Sequence, residues 1–413
     1  MLILLVCLLA HAAASPASAG AAARAATAYA AASPSSAGAA ARAAAAAARA
    51  AGDARGGSVD ASCLPLLPPG THFGAQYSKP PGAAGNATDR LFAEMAARGA
   101  TLLQLSLPWA DVETTPNAPN FVLIAELLNQ AHAAGLTPLF QIAAIDTEHA
   151  AVPSDLADPS DPTRLRGGLQ WNSSEVVDRF ALLLEVVAPL AAFAGAPYIG
   201  VGNEVSVNLA LHPDTAFAFA EFTFIMKSWV KQLTSPSMSV GVTLTVGDVN
   251  SWTPPARPPL WAQTLLAVAD ATPLTYYPLR PDFSVDDPTN IVRTFSGALS
   301  VLPPDACVLL QELGCPSGYG NASSTNGSSQ AVQAAFVGQM GALLRAVNST
   351  TSRSVRVVSW YQLVDMEDAD CQGLARYYNT SDPRFIEYLC TLGLVKNTGV
   401  AKKAWGSFLS AFI

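Results

Sequence analysis

The sequence contains little charge, and the charge it has is not concentrated anywhere. Only 13% of its 413 residues are charged, the formal net charge is −8, and no stretch gathers Lys and Arg together. Nucleic acids and anionic membranes are bound through a basic patch or stripe, so we expect neither as a partner. Apolar material is plentiful instead: hydrophobic residues make up 50% of the chain, enough for one large core or two modest ones.

Patterns that bind metals and cofactors are missing as well. The five histidines are scattered singly, and the six cysteines form no CxxC pair. Zinc sites are typically built from such closely spaced ligands. A dinucleotide site would need a Gly-x-Gly-x-x-Gly turn after the first predicted strand, and the sequence has none there. We therefore expect neither a metal nor a cofactor.

The N-terminal part of the chain differs in composition from the rest. Residues 1–19 join a short apolar run to small residues, which predicts a secretory signal peptide, with a transit peptide as the alternative because no positive charge precedes the run. Residues 20–62 are an Ala-rich leader of low complexity for which we predict no fold. The folded domain is then residues 63–413, expected to be a secreted monomer with no membrane-spanning segment in its mature form.

Two further features are typical of an oxidising, extracellular compartment. The cysteines outside the signal segment are odd in number, and we expect disulfides between Cys371 and Cys390 and between Cys307 and Cys315. Asn-x-Ser/Thr sequons, which predict a glycoprotein, all fall in predicted loops or element ends. They lie at Asn86, Asn172, Asn321, Asn326, Asn348 and Asn379.

From residue 71 onward, short apolar runs alternate with longer helical patterns about eight times. Strands that are apolar on both faces must be covered on both faces. The pattern therefore predicts an α/β fold, a closed (β/α)8 TIM barrel in a single domain, with an open doubly wound sheet as the alternative. The predicted strands are residues 72–77, 102–107, 137–142, 198–201, 239–245, 274–276, 307–311 and 355–360.

Two of the predicted strands, the fourth and the seventh, are followed by a glutamate. The apolar run 198–201 leads through Gly202 and Asn203 to Glu204, and the run 307–311 leads to Glu312. Barrel enzymes build their sites where the strands end. Two glutamates placed in this way are what cleavage of a glycosidic bond requires, namely one proton donor and one nucleophile.

The sequence segments around these two glutamates resemble those of a known group of enzymes, the clan A retaining glycoside hydrolases. The catalytic glutamates of that group follow barrel strands four and seven. Tyr-Ile-Gly-Val-Gly-Asn-Glu-Val, residues 198–205, looks like the acid/base strand of the endo-β-1,3-glucanases. Gln-Glu-Leu-Gly-Cys-Pro-Ser, residues 311–317, looks like their nucleophile loop, with Cys315 where a Trp would be expected. The chain is also similar to the endo-β-1,4-galactanases and to the cellulase-like family of the clan.

The resemblance implies a role for each polar residue in the two strings. Glu204 would be the general acid/base, Glu312 the nucleophile, and Asn203 would hydrogen-bond the 2-hydroxyl of the sugar. Glu204 must then hold a proton at working pH while Glu312 stays ionised. An Arg usually supports the nucleophile from the second strand, but this chain has Gln104 there.

Aromatic residues would complete the site. Tyr276 or Tyr277 would orient the nucleophile, and only one of them should point inward because side chains alternate along a strand. Trp360 would be the apolar floor under the reactive sugar, and Trp109 would line a subsite, although either ring could instead be core.

The function implied is a secreted retaining hydrolase that cleaves a β-linked polysaccharide, with β-1,3-glucan as the first substrate to test. The alternative is a catalytically weak or inactive carbohydrate-binding barrel protein of the cell surface. The missing Arg and the presence of Cys315 favour that alternative.

Overall fold

A computed structural model describes residues 64–68, 71–77, 86–254, 256–320, 324–350 and 355–412. The predicted signal peptide, residues 1–19, and the whole predicted leader, residues 20–62, lie outside these residues. Among the helices that are described, none is long and apolar enough to cross a lipid bilayer.

Eight parallel strands form the centre of the molecule. The fifth is split into two short pieces, and the seventh continues through Glu312 instead of ending before it. The strands are β1 His72–Gln76, β2 Leu102–Pro108, β3 Thr137–Ala143, β4 Tyr198–Gly200, β5 Ser239–Gly241 with Leu244–Thr245, β6 Thr272–Tyr276, β7 Val308–Leu313 and β8 Val355–Trp360.

The sheet closes on itself. Its hydrogen-bonded order runs from the second piece of β5 through β6, β7, β8, β1, β2, β3 and β4 to the first piece of β5. A parallel bridge between Gly241 and Ala271 joins the first piece of β5 to the start of β6. A closed barrel has no free sheet edges, so the predicted (β/α)8 fold is confirmed and the open sheet is wrong.

Helices surround the barrel, and short helices also lie at its C-terminal end. They are α1 Asn86–Ala97, α2 Trp109–Val112, α3 Phe121–Ala133, α4 Ser174–Phe193, α5 Val205–Leu211, α6 Ala216–Leu233, α7 Val246–Ser251, α8 Leu260–Val268, α9 Ile291–Val301, α10 Gln330–Thr350, α11 Asp368–Tyr377, α12 Pro383–Cys390 and α13 Lys403–Phe412. Two antiparallel ribbons fill the long β3–α4 connection. The first pairs Ile145–Asp146 with His149–Ala150, and the second pairs Ala157–Asp158 with Asp161–Leu165.

Alternation along the strands divides the apolar side chains between two cores. Outward residues such as Leu103, Phe140 and Ile199 pack beneath the helices in the larger cluster. Inward residues near the strand starts form a separate cluster inside the barrel, which Leu64 and Leu67 join from the N-terminal segment. These leucines therefore close the end of the barrel opposite the strand C-termini, which leaves the C-terminal end for the polar residues.

One of the two expected disulfides forms. Cys371 and Cys390 are bonded, with their Cα atoms 5.5 Å apart, and the bond ties α11 to α12. The expected Cys307–Cys315 pair is wrong: Cys315 is a buried free thiol, whereas Cys307 is in a disulfide. Cys307 precedes the six-residue strand β7 and Cys315 follows it. The strand alone is roughly 20 Å long at about 3.3 Å per residue, so the two residues are too far apart for a disulfide.

The sequons differ in their accessibility. Asn172 and Asn379 are exposed, as a glycan requires. Asn326 is fully buried and accepts a hydrogen bond from the backbone N–H of Ser328 at 2.9 Å, so the expectation that a glycan could sit there is wrong. Asn348 is half-buried within α10, and Asn321 lies outside the described residues.

Candidate active site

Glu204 is projected by a sharp turn between β4 and α5. Its backbone is left-handed, with φ of 45°, and it caps the N-terminus of α5. A Cβ on Gly202 would lie 2.5 Å from the side chain of Val205, so the turn has room only for glycine there. A left-handed non-glycine residue costs of order 1–3 kcal/mol and is typical of functional sites.

Glu312 reaches the same place through an irregularity in β7. Along the β6–β7 ladder Leu274 pairs with Leu310, but the next residue, Thr275, pairs with Glu312, so that Gln311 is one residue in excess. A β-bulge of this kind re-aims side chains. The Gln311 amide can thus reach Gln141 inside the barrel, at 2.7 Å, while the next residue, Glu312, turns to the rim.

Thr275 joins the two glutamates. Its hydroxyl donates to Oε1 of Glu204 at 2.5 Å, and its Cα is the register partner of Glu312 on the neighbouring strand. Neighbouring strands lie about 4.8 Å apart. The carboxyls are close enough that the charge of Glu204 raises the pKa of Glu312. Two residues far apart in the chain therefore meet in one site.

Neutral donors hold each carboxyl. The Thr147 hydroxyl donates to Oε2 of Glu204 at 2.8 Å, and the Tyr277 phenol donates to Oε2 of Glu312 at 2.7 Å. Asn203 lies beside them, and its amide donates to Asp146 at 3.0 Å. All of these residues follow or end strands at the C-terminal end of the barrel.

Burial dominates the electrostatics of the pair. It raises the pKa of Glu204, and together with the charge of Glu204 it raises the pKa of Glu312 well above the usual value. Among the described residues, no Lys or Arg forms an ion pair with either glutamate. This rise falls on both glutamates. The buried neutral Gln104, on the inner face of β2, supplies no charge to offset it.

Glu204 and Glu312 form a coupled pair, because the charge of one raises the pKa of the other. Its titration belongs to the two groups together rather than to either one. When such a pair carries a single proton, one carboxyl is an acid and the other a base, which is the state that acid/base and nucleophilic chemistry needs.

Solved structures of glycoside hydrolases have the same barrel. An exo-β-1,4-mannosidase from an Opitutaceae bacterium, strain TAV5, matches with a TM-score of 0.58 at 16% identity over 83% of this chain and 59% of its own. GH5_18 from Streptomyces cattleya, in complex with GlcNAc, matches with a TM-score of 0.59 at 16% identity over 83% of this chain and 79% of its own. A family 39 glycoside hydrolase from Bacteroides cellulosilyticus WH2 matches with a TM-score of 0.54 at 15% identity over 82% of this chain and 63% of its own.

The chain shares the fold of these glycoside hydrolases. It spans 59% of the length of the mannosidase, so the likeness covers the barrel and not that whole protein. No family model matches the sequence, and no curated protein matches it either. Likeness to clan A therefore holds at the level of the fold, and the function must be argued from the site.

The two tyrosines after β6 point in opposite directions. Tyr277 reaches Glu312, as described above. Tyr276 instead packs outward, with ring centroids 6.2 Å from Phe295 and 5.9 Å from Phe336. Tyr277 is thus the one of the two that holds Glu312.

The two tryptophans expected at the rim are both core residues, and the structure contradicts their predicted roles. Trp360 has no exposed surface, and its indole donates to the carbonyl of Leu392 at 2.9 Å. Trp109 is also fully buried, with its indole 2.8 Å from Glu113. Neither ring faces the cleft. Alternation along β8 puts Trp360 on the helix-facing side.

Tyr361 is the aromatic residue that faces the site from this strand. Its ring meets that of Tyr277 edge-on, with centroids 5.9 Å apart, and burial together with the charge of Glu312 raises its pKa. The alternation that removes Trp360 from the cleft could have identified its neighbour. Thr147 had no such signal, because it comes from the long β3–α4 connection.

A pocket of about 300 Å3 opens beside Glu204. Thr275, Tyr276, Tyr277 and Thr294 are among its lining residues, and Glu312 is not. A second pocket, of about 180 Å3, lies around Thr163 and His212, away from the glutamates. Within the described part of the chain, no group of three or more His, Cys, Asp or Glu residues could hold a metal ion.

Proposed function

We propose that the protein is a secreted retaining glycoside hydrolase that cleaves a β-linked polysaccharide. One observation carries this proposal: Glu204 and Glu312 meet at the ends of β4 and β7, with Thr275 bonded to one and paired with the other. Two adjacent carboxyls in a buried cleft can divide the work of proton donor and nucleophile.

The reaction has two displacements. The protonated Glu204 gives its proton to the glycosidic oxygen while ionised Glu312 attacks the anomeric carbon, so the C–O bond breaks and the leaving sugar departs as an alcohol. Glu204, now ionised, takes a proton from water. The resulting hydroxide attacks the anomeric carbon and releases Glu312 as a carboxylate. Two inversions give net retention.

The surrounding residues support these steps. Thr147 and Thr275 fix both oxygens of Glu204, and Tyr277 fixes Glu312. The pocket beside Glu204 lies on the proton-donor side of the pair, because Glu204 lines it and Glu312 does not. We assign it to the leaving sugar, which departs from that side.

The substrate is proposed on two separate grounds. The strings around the two glutamates favour a β-1,3-glucan. The shared fold with the exo-β-1,4-mannosidase favours a β-1,4-mannoside as the second candidate. We propose that the protein is secreted because residues 1–19 have the pattern of a signal peptide. We also propose that it is a monomer.

A carbohydrate-binding barrel without turnover is the second candidate function. Among the residues that the structure describes, no Lys or Arg forms an ion pair with Glu312, and this favours the second candidate because the nucleophile must then ionise without charge support. Such a protein would bind sugar and release nothing.

The test is hydrolysis of aryl β-glucosides and β-mannosides, with β-1,3-glucan and β-1,4-mannan as polymers. Glu312→Gln should lose activity by at least about a thousandfold, because it removes the nucleophile. Glu126→Gln, on the exposed side of α3, is the matched control and should keep full activity. Equal release by wild type and Glu312→Gln would reject the hydrolase, and binding without release would favour the second candidate.

A further inference from the structure

A second pocket lies at the end of α5, apart from the two glutamates. It is the cavity of about 180 Å3 whose walls include Thr163, Arg164, Asn208 and His212, and we call it the ribbon pocket because the second antiparallel ribbon forms one side of it. The seven residues of α5 begin directly after Glu204 and carry the chain about 10 Å away from it. Sites for drug-sized ligands measure about 300–1,000 Å3, so the ribbon pocket suits a smaller group, such as a single ring.

The wall formed by α5 is fixed before any ligand arrives. The buried amide of Asn208 donates to the backbone carbonyls of Glu148 at 2.6 Å and Thr163 at 2.8 Å. The backbone N–H of Asn208 donates to the carbonyl of Thr147 at 3.1 Å, and the Thr147 hydroxyl donates to Glu204. A ligand of the ribbon pocket would therefore not have to order this wall, which lowers the cost of binding.

The His212 ring leaves one buried nitrogen without a partner. The Thr163 hydroxyl donates its proton to Asp161 at 2.5 Å, so Nε2–H of His212, 2.6 Å away, donates to the Thr163 oxygen. Burial and the nearby Arg164 guanidinium lower the pKa of His212, so the ring is neutral at neutral pH and its Nδ1 is an acceptor. This Nδ1 is buried, and it has no hydrogen-bond partner in the part of the chain that the structure describes. A hydroxyl group of a ligand would supply the missing donor.

The charges around the ribbon pocket favour a neutral ligand over an anion. Arg164 lies 3.5 Å from a carboxylate oxygen of Asp161 and 3.7 Å from one of Asp214, and Arg166 lies 2.5 Å from one of Glu175. Each guanidinium is thus already matched by carboxylates, so no net positive charge is left to attract an anion. Hydrogen-bond donors and acceptors alternate around the cavity instead, which suits a molecule rich in hydroxyl groups.

Two exposed apolar side chains adjoin the ribbon pocket in the sequence. Leu211 precedes His212 and is 55% exposed, and Phe217 follows the lining residue Thr215 by two positions and is 51% exposed. Exposed apolar groups next to a polar cavity are typical of binding sites. A sugar ring presents both hydroxyl groups and an apolar C–H face, so it matches this combination.

We propose that the ribbon pocket is a second carbohydrate-binding site, which holds one neutral hexose unit of a β-linked polysaccharide. His212 accepts a sugar hydroxyl, Arg164 donates to a sugar oxygen, and Phe217 covers a C–H face. The choice of polymer rests on the hydrolase function proposed above, whereas the binding itself needs no turnover. A polymer held at this site has a raised effective concentration at the cleft between the glutamates.

Binding to soluble β-1,3-glucan and β-1,4-mannan tests the proposal directly. It is measured by calorimetry on Glu312→Gln protein, which leaves the polymers uncut. In this background His212→Phe keeps a ring and removes both nitrogens, and Phe217→Ala removes the exposed aromatic face. Each change should raise the Kd for the bound polymer by about tenfold, because one contact and the avidity that depends on it are lost.

Phe193→Ala is the matched control for Phe217→Ala. Phe193 is a phenylalanine of similar exposure, 43%, but it lies at the end of α4, whereas Phe217 lies at the start of α6. Its removal should leave the Kd unchanged. Thermal unfolding of every variant shows whether it folds as the unsubstituted protein does.

Kinetics add a measurement that a general loss of structure would not reproduce. An aryl glycoside is too short to reach from the cleft to the ribbon pocket, but a polymer can. The ratio of kcat/KM on the polymer to kcat/KM on the aryl glycoside should therefore fall about tenfold in His212→Phe and stay constant in Phe193→Ala.

The outcomes separate this proposal from the hydrolase proposal. If the wild type cleaves nothing but both test variants bind polymer more weakly than the control, the hydrolase proposal fails and the second binding site is supported. If the wild type cleaves a polymer and the Kd is the same in all variants, the second binding site is rejected and the hydrolase is not. Failure of Glu312→Gln to bind either polymer, or an equal loss in Phe193→Ala, would also overturn it.

Discussion

The hydroxyl of Thr275 lies 2.5 Å from Oε1 of Glu204, on the strand residue that is paired with Glu312. One small side chain thus supports the proton donor from the position between the two carboxyls. Loss of this hydroxyl should lower the activity of the protein without preventing it from folding.

Replacing Thr275 with Val should lower kcat/KM by about tenfold, because one donor to Glu204 is lost while the side-chain volume stays nearly the same. The pKa of Glu204 should rise, which moves the basic limb of the pH profile upward. Thr272→Val, near the start of the same strand, is the control. The test is to measure kcat/KM of both variants across pH. A kcat/KM and a pH profile that are the same in Thr275→Val as in the wild type would contradict the role given to this hydroxyl.

The buried pair should make the folded protein less stable as pH rises. A carboxyl whose pKa is higher in the folded chain than in the unfolded chain binds its proton more tightly when folded. The free energy of unfolding then falls from pH about 4.5, the ordinary value for Glu, upward through the raised pKa. Both Glu204 and Glu312 contribute with this sign.

Glu312→Gln should therefore be more stable than wild type at pH 8 and nearly equal to it at pH 4. A gain of about 1 kcal/mol corresponds to a rise in Tm of roughly 2 °C for a chain of this size. Calorimetry at the two pH values measures the difference, with Glu126→Gln as the control. A variant less stable than wild type at pH 8 would show that the carboxylate is well supported in the free protein.

Substitutions of the adjacent aromatic residues Trp360 and Tyr361 should have different effects. The first should lower the stability of the protein, and the second should weaken substrate binding. Trp360→Phe leaves the Leu392 carbonyl without its donor and opens space in the core, at a cost of about 2 kcal/mol or more, while KM stays unchanged. Tyr361→Ala should raise KM severalfold because it removes an aromatic wall of the cleft. Denaturant unfolding of each variant measures the loss of stability, and steady-state kinetics measure the change in KM. A raised KM in Trp360→Phe would return that ring to the site.

Glycan occupancy should follow exposure. In protein made in a secretory host, we expect Asn172 and Asn379 to carry glycans and Asn326 to carry none, because its side chain is fully buried. Mass spectrometry of peptides before and after glycan removal gives the occupancy of each. A glycan at Asn326 would mean that the loop is modified before it folds.

Much of the fold follows from patterns that are local in the sequence. The apolar runs predicted all eight barrel strands because strands covered on both faces need few polar residues. The two glutamates could be assigned to strand ends for the same reason. The boundary at β7 was wrong because a bulge leaves no mark in composition: Gln311 looks like any other strand residue.

The sequence by itself determined the barrel, the pair Glu204 and Glu312, and the disulfide between Cys371 and Cys390, since apolar periodicity and short loop closure act between near neighbours. Only the tertiary structure decided that Tyr361 and not Trp360 faces the cleft, and that Thr147 and Thr275 hydrogen-bond Glu204. Those contacts join residues far apart in the chain. Their geometry depends on how strand twist, the bulge and the long β3–α4 connection combine, which no local pattern encodes.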